Sequence, residues 1–162
     1  MTTIEELKQI IAKKESQTLE FKTSTATLHA AFEAICAFLN GSGGQVLIGV
    51  NDKGSILGQD VSDSTQQAIA KEMSRLEPAP MGHIDVEYVA ALNNKQVIVF
   101  HVEEGSHPPY VYDGRAFYRN QATTMRMTQD RYEQLIVERG QFTHAWEELP
   151  AKDYGIELLD LD

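Results

Sequence analysis

Three acidic residues stand where a fold can bring them together. Glu15 precedes a short predicted strand, Glu20 lies on that strand, and Asp52 follows a second, apolar strand. If the two strands are neighbours, the carboxylates converge, and convergent carboxylates bind a divalent cation that polarises a phosphodiester. Exposed strand charges and a turn aspartate would give the same pattern. The spacing offers Glu15, Glu20 and Asp52 as catalytic groups and as ligands of Mg²⁺ or Mn²⁺.

Lys22 adds a base to this pattern. Alternate side chains of a strand lie on the same face, so Glu20 and Lys22 are predicted to be neighbours. A metal ligand beside a lysine suits the stabilisation of a phosphate group. Lys22 is therefore a candidate catalytic residue and also a candidate contact to nucleic acid.

A hairpin rich in aromatic and basic residues is predicted around Asp113-Gly114, a strong two-residue turn signal. Such a turn pairs Tyr112 with Arg115 and places alternate residues on one face. That face suits base stacking and phosphate contacts, although ordinary cross-strand packing with solvated arginines explains the same pattern. The predicted nucleic-acid contacts, with Lys22, are Tyr110, Tyr112, Arg115, Arg119 and Arg126.

Helices and strands alternate along the chain in a way that can position these residues. Apolar periodicity predicts helices over residues 3–12, 27–40, 64–76 and 128–139, the first with a capping box from Thr3 to Glu6 and the last ended by Gly140. Strands are predicted over 18–22, 45–50, 84–92, 96–102, 110–112 and 115–120. The order predicts an α+β fold, with a mixed sheet of about five to six strands and two or three packed helices.

The glycine cluster at residues 41–44 does not predict a phosphate loop. Phosphate loops lead from a strand into a helix, whereas these glycines follow a helix and precede a strand. A helix C-cap and a tight entry into the strand explain them, and no Walker lysine follows.

Composition limits the classes of protein to consider. A length of 162 residues fits one domain, no apolar run is long enough to span a membrane, and no signal peptide opens the chain. The single cysteine, Cys36, reads as apolar core and favours a cytoplasmic protein, and the five histidines lack the spacing of a zinc site.

The charge is acidic, and much of it is concentrated at the C-terminal end. The net charge is −10, and residues 143–162 hold six acidic residues against one lysine. An acidic chain is a poor general coat for nucleic acid, because phosphate binding draws on basic residues. We therefore divide the chain into a domain over residues 1–142 and an acidic linker or docking tail over residues 143–162.

Taken in order, these blocks resemble the Schlafen Alba-related (AlbA) domain. The resemblance is carried by Glu15-Ser16 and Glu20-Phe21-Lys22, by residues 37–52, by Ile56-Leu57-Gly58 and by residues 108–126. It implies a nucleic-acid-handling domain. In animal Schlafens this fold is a metal-dependent endoribonuclease that acts on transfer and ribosomal RNA through three carboxylates, whose positions Glu15, Glu20 and Asp52 match.

The resemblance also implies alternatives. Bacterial relatives are commonly the N-terminal part of transcriptional regulators, so a non-catalytic DNA-binding or oligomerisation module is the second interpretation, with a link to ATP as a variant of it. Animal Schlafens use two such lobes and a cysteine-rich zinc site, whereas this chain has one lobe and one cysteine. A comparable RNA groove would then require a homodimer. The expected partners are RNA or DNA, a second copy and further C-terminal domains, and not a membrane.

Overall fold

The computed structural model describes the backbone of residues 1–154 and the side chains of residues 1–141. The helices are α1 (Ile4–Ala12), α2 (Leu28–Leu39), α3 (Asp63–Met73) and α4 (Gln129–Tyr154). The strands are β1 (Leu19–Lys22), β2 (Gly44–Ile48), β3 (Leu76–Glu77), β4 (Ile84–Ala90), β5 (Gln96–Val102), β6 (Val111–Tyr112), β7 (Arg115–Asn120) and β8 (Thr123–Arg126). Short 3₁₀ turns lie at Thr25–Thr27 and Leu92–Asn94.

The strands form two four-stranded sheets. The first sheet has the order β1-β2-β5-β4, with β1 parallel to β2 and the other pairs antiparallel. The second has the order β3-β6-β7-β8 and is antiparallel throughout. The predicted α+β class is therefore confirmed, although the strands divide between two sheets instead of forming one.

Helix α2 is the reason for this division. Nine of its twelve residues are buried, so it presents apolar side chains in almost every direction. One core contains α2, Val46, Ile48 and Phe100 from the first sheet, and Tyr112 and Phe117 from the second. The helix thus lies between the two sheets and is covered by both.

Helix α1 covers the opposite face of the first sheet. Leu7 and Ile11 pack there with Leu19, Phe21 and other residues of the sheet. The predicted inward direction of Leu19 and Phe21 is confirmed, since each is only 4% exposed. The alternation leaves Glu20 and Lys22 on the face of β1 that looks towards α2.

The glycine turn between α2 and β2 is a point of close approach. Gly43 has a φ of +83°, and a Cβ there would lie 2.5 Å from the carbonyl oxygen of Val102. A Cβ on Gly44 would lie 2.7 Å from the carbonyl oxygen of Thr18. Both approaches require glycine, which supports the structural interpretation of this cluster.

The sequence predicts the start of α1 correctly but not the end of α4. The capping box of α1 is confirmed, because Thr3 Oγ1 accepts from the Glu6 amide and Glu6 Oε1 accepts from the Thr3 amide. The predicted end of α4 at Gly140 is wrong, since the helix continues to Tyr154. A glycine weakens a helix by about 1 kcal/mol but does not stop it unless the chain turns there.

The predicted role of residues 143–162 as a linker or docking tail stays a prediction, because their side chains lie outside the described residues. Within residues 1–154, no helix combines the length and the apolar character that a membrane crossing needs.

Glu87 anchors the start of the chain to β4. Its carboxylate accepts from the Thr2 amide at 2.8 Å and from the Thr2 hydroxyl at 2.6 Å. His101 Nε2 lies 2.6 Å from the same carboxylate, and its Nδ1 accepts from the side-chain amide of Gln45. These hydrogen bonds from Thr2, and then the one from His101, lower the pKa of Glu87 to about 2.

This anchor predicts a pH dependence of stability. A depressed pKa in the folded state stabilises the protein above the ordinary value of 4.5, and that contribution is lost as the pH falls towards 2. Urea denaturation should therefore show that the loss of unfolding free energy in Glu87→Gln is largest near pH 6 and shrinks between pH 4.5 and 2. Glu103→Gln, which alters an exposed acid, is the control and should show no such trend. A pH-independent loss in Glu87→Gln would contradict the prediction.

Candidate metal and nucleic-acid site

Glu15 lies at the free edge of β1. Ser16 and Leu19 exchange backbone hydrogen bonds of 3.0 and 3.4 Å, which closes a tight turn and returns Glu15 to the side of the strand. There its Oε1 accepts from the amide of Phe21 at 3.0 Å. The turn and this carboxylate thus cover an edge of β1 to which no other strand of residues 1–154 is paired.

Arg119 holds the same turn from the second sheet. Its guanidinium group donates from Nη1 to Glu20 Oε1 at 2.6 Å and to Thr124 Oγ1 at 2.9 Å. Nη2 donates to the carbonyl oxygens of Ser16 at 2.8 Å and Leu19 at 2.9 Å, and Nε donates to the Ser16 oxygen at 3.3 Å. These contacts engage all five N–H donors of an arginine.

The Arg119 side chain is only 2% exposed, and its guanidinium carbon lies 5.0 Å from the centre of the Phe38 ring. A buried guanidinium whose donors are all engaged has none left for a phosphate. The prediction that Arg119 contacts nucleic acid is therefore corrected. Arg119 instead forms a structural ion pair with Glu20, which connects the two sheets.

Glu20 and Lys22 are neighbours, as their strand spacing predicts. Lys22 Nζ lies 3.2 Å from Glu20 Oε2, while the other oxygen of Glu20 is bound by Arg119. The Glu20 side chain is 12% exposed and that of Lys22 is 22% exposed. Glu20 thus shares its charge with two cations, although a carboxylate has lone pairs enough for a further partner.

An open cavity of about 700 Å³ lies between α1, the edge of β1 and the turn that follows β2. We call it the β1 cavity. It contains two of the three predicted carboxylates together with three lysines, and its lining residues are Lys8, Ile11, Ala12, Lys14, Glu15, Phe21, Asp52, Lys53, Gly54 and Ile56. Asn51 shapes the turn, because its Oδ1 accepts from the amides of Lys53 and Ser55. The turn thereby places Asp52 and Lys53 at the cavity.

Negative charge is concentrated around Glu15. Burial raises the pKa of its carboxyl group, and the Glu20 and Asp52 carboxylates raise it further, while the Phe21 amide acts in the opposite direction. The carboxyl group of Glu20 is thus the larger source of the charge that raises the pKa of Glu15, with Asp52 contributing less. The fold therefore brings Glu15 next to Glu20 and within electrostatic reach of Asp52.

The three carboxylates do not form a complete metal cage. Among residues 1–141, no three His, Cys, Asp or Glu side chains are grouped closely enough to hold an ion as they stand. Mg²⁺ commonly uses one or two carboxylates and completes its shell with water and substrate phosphates. Glu15 and Asp52, which face the β1 cavity, fit that mode, with Glu20 behind them.

The hairpin tyrosines do not form a stacking surface. The pairing of Tyr112 with Arg115 is confirmed, but Tyr110 and Tyr112 are each 1% exposed and face α2. The Tyr112 hydroxyl bonds Glu72 and His29, and the Tyr110 amide donates to Asn40 Oδ1. Their predicted contacts to bases are therefore corrected to core packing.

Arg115 and Arg126 are exposed, so of the predicted hairpin contacts these two remain accessible.

Sequence reasoning missed the cavity lysines, namely Lys8, Lys14 and Lys53. The available signal was adjacency, because Lys14 directly precedes Glu15 and Lys53 directly follows Asp52.

Comparison with known proteins places this arrangement in a family context. A family model described as Schlafen, AlbA_2 matches residues 15–128, most of the chain. The match begins at Glu15 and includes Glu20, Asp52 and the hairpin. No curated protein matches the chain.

Among solved structures, the chain is similar in fold to the DIP2311 protein from Corynebacterium diphtheriae, with a TM-score of 0.53 and 19% sequence identity. The similarity covers 74% of this chain but 23% of that one. The matched part of this chain therefore spans about a quarter of the length of that chain.

Breaking the Arg119 ion pair should destabilise the fold. Arg119→Met would leave Glu20 Oε1 and the Ser16 and Leu19 carbonyl groups without their partner, and loss of one member of a buried pair costs about 3–5 kcal/mol. Urea denaturation measures this change. Arg115→Met, on the same strand but exposed, is the matched control and should stay within about 0.5 kcal/mol of the unsubstituted protein. Equal effects of the two substitutions would contradict the structural role of Arg119.

Proposed function

Since the chain belongs to the Schlafen AlbA_2 family, we propose that it binds nucleic acid at the β1 cavity and cleaves RNA there with the help of Mg²⁺ or Mn²⁺. The observation that carries the proposal is the meeting of Glu15 and Asp52 with three lysines in one open cavity. Transfer or ribosomal RNA is the substrate class that the family resemblance implies.

The charges around the cavity explain how a chain with a net negative charge can bind the negatively charged phosphate backbone. The net charge is −10, yet the cavity lining contains three lysines against two acidic residues. A phosphate backbone interacts mainly with charges within about 10 Å at moderate ionic strength, so local charge outweighs the net charge. Lys8, Lys14 and Lys53 are the proposed phosphate contacts at the cavity, and the exposed Arg115 and Arg126 of the second sheet are proposed as separate contacts.

The acidic residues have distinct roles in this proposal. Glu15 and Asp52 hold the divalent ion from the cavity side. Glu20 is the third ligand and also keeps Lys22 in place through their 3.2 Å ion pair. A bound divalent ion would supply polarisation of the scissile phosphate and activation of the nucleophile. The residues themselves orient the phosphate between the lysines and the carboxylates.

A second copy of the chain is the proposed source of the other half of an RNA groove. The match covers a single lobe, whereas a transfer RNA is far larger than a 700 Å³ cavity. A homodimer related by a two-fold axis would present two β1 cavities to one substrate.

Cleavage of transfer RNA with Mg²⁺ or Mn²⁺ tests the enzymatic proposal. Glu15→Gln and Asp52→Asn should each lower the cleavage rate by at least about 100-fold, because outer-shell partners of a metal alone commonly contribute 10- to 100-fold. Glu133→Gln, an exposed acid on α4 outside the cavity, is the control and should cleave normally. No cleavage by the unsubstituted protein, or normal cleavage by Asp52→Asn, would refute the proposal.

A non-catalytic module that binds DNA is the second candidate. Its support is the structural use of Glu20, which already binds Arg119 and Lys22, and the absence of a ready metal cage within residues 1–141. In this case the lysines of the cavity bind the phosphate backbone and no metal is required.

Salt dependence measured without metal tests this candidate. Each phosphate contact contributes about 0.9 to the slope of log affinity against log salt concentration for duplex DNA. Lys53→Ala should lower the slope by about that amount, whereas Lys71→Ala, an exposed lysine on α3 outside the cavity, should leave it unchanged. Equal slopes for both variants would remove the cavity from the DNA surface.

A further inference from the structure

We infer that Lys14 is a phosphate-positioning residue of the β1 cavity, and that the chain retains it at a backbone position better suited to glycine. This inference rests on the proposed function, because it assigns one lysine to the nucleic acid that the cavity binds. It begins with the backbone at the end of α1.

Lys14 has a φ of +64°, in the left-handed region. It follows the C-cap Lys13, and its amide donates to the carbonyl oxygen of Ile11 at 3.0 Å. Helices commonly end with a left-handed residue at this point, and glycine is the usual choice because a Cβ destabilises that conformation. A lysine here therefore lowers the stability of the fold relative to glycine.

The other residues with positive φ show how uncommon this choice is. Within the described backbone, the remaining non-glycine cases are Asn93, Asn94, Asp113 and Gln121. Asn and Asp tolerate the left-handed region better than other residues with a side chain. Gln121 has a local explanation, because its amide donates to Gln17 Oε1 at 2.7 Å.

The amide of Lys14 is likewise hydrogen-bonded, to the carbonyl oxygen of Ile11, but within the described residues its side chain forms no ion pair that would account for a lysine at this position. None of the ion pairs among residues 1–141 involves it. It lines the β1 cavity, and the next residue in the chain is Glu15. Strained backbone that persists at a site is commonly retained for function. The left-handed turn sets the side chain of Lys14 at the cavity, where its ammonium group can contact a phosphate beside the Glu15 carboxylate.

Lys13 is a natural control for this inference. It carries the same charge one residue earlier, has an ordinary helical φ of −76°, is exposed and does not line the cavity. Substitution of either lysine changes the net charge equally. A difference between the two variants therefore reports position and not total charge.

The experiment combines thermal unfolding with the binding of fluorescently labelled transfer RNA at 0.1 M salt, measured by anisotropy without divalent metal. Lys14→Gly should raise Tm by about 2–4 °C, since it removes the left-handed strain. It should also weaken RNA binding by about 5- to 8-fold, the effect at 0.1 M salt of one lost phosphate contact with a slope of 0.7 to 0.9. Lys13→Gly should not raise Tm and should bind RNA normally.

Lys14→Arg supplies a second readout, because it keeps the charge and the strain. It should retain both the affinity and the Tm of the unsubstituted protein. If the unsubstituted protein does not bind RNA, the proposed function fails and the role of Lys14 fails with it. If the unsubstituted protein binds RNA and Lys14→Gly binds it equally well, the inference about Lys14 alone is overturned. It is also overturned if Lys14→Gly unfolds at a lower temperature than the unsubstituted protein.

Discussion

The buried guanidinium group of Arg119 is the contact on which the rest of the structure depends. Removing a charge from water is unfavourable by several kcal/mol unless every donor finds a partner. Here the partners are the Glu20 carboxylate, the Thr124 hydroxyl and the backbone oxygens of Ser16 and Leu19. Strand β7 of the second sheet is thereby tied to the edge strand of the first.

This constraint also positions the candidate site. The turn that Arg119 holds returns Glu15 to the edge of β1, where it accepts from Phe21. Glu20 lies on the face of β1 that looks towards α2, where it pairs with Arg119 and Lys22. Its carboxylate nevertheless remains near Glu15. The structural ion pair and the acidic site therefore share one carboxylate, so changes in Glu20 affect stability and site geometry together.

The sequence could predict local features whose signals lie close together in the chain. The capping box of α1, the alternation of Leu19 and Phe21, and the turn at Asp113-Gly114 all appear as expected. Period and turn chemistry determine these features, and neither depends on which elements become neighbours. The placement of Asp52 and Glu15 at a common cavity also follows the prediction that their strands are adjacent.

Other features depend on the tertiary structure and could not be predicted from local signals in the sequence. Alternation groups Tyr110, Tyr112 and Arg119 on one face of a hairpin, but it does not reveal whether that face meets solvent or α2. Because α2 is apolar on nearly all sides, it packs against a second sheet as well as the first. The grouped residues are therefore buried against α2. The cavity lysines were missed for the same reason, since surface lysines are common and only their position gives them a role.

The central claim is that the β1 cavity holds a divalent cation between Glu15 and Asp52. A crystal structure of the protein with Mn²⁺, in which the metal is located by its anomalous scattering, tests this most directly. The account predicts a peak in the β1 cavity within about 2.0–2.3 Å of carboxylate oxygens of both residues, the range typical of such oxygen ligands. A well-ordered cavity without a peak at saturating Mn²⁺, or a peak bound only elsewhere on the surface, would contradict it.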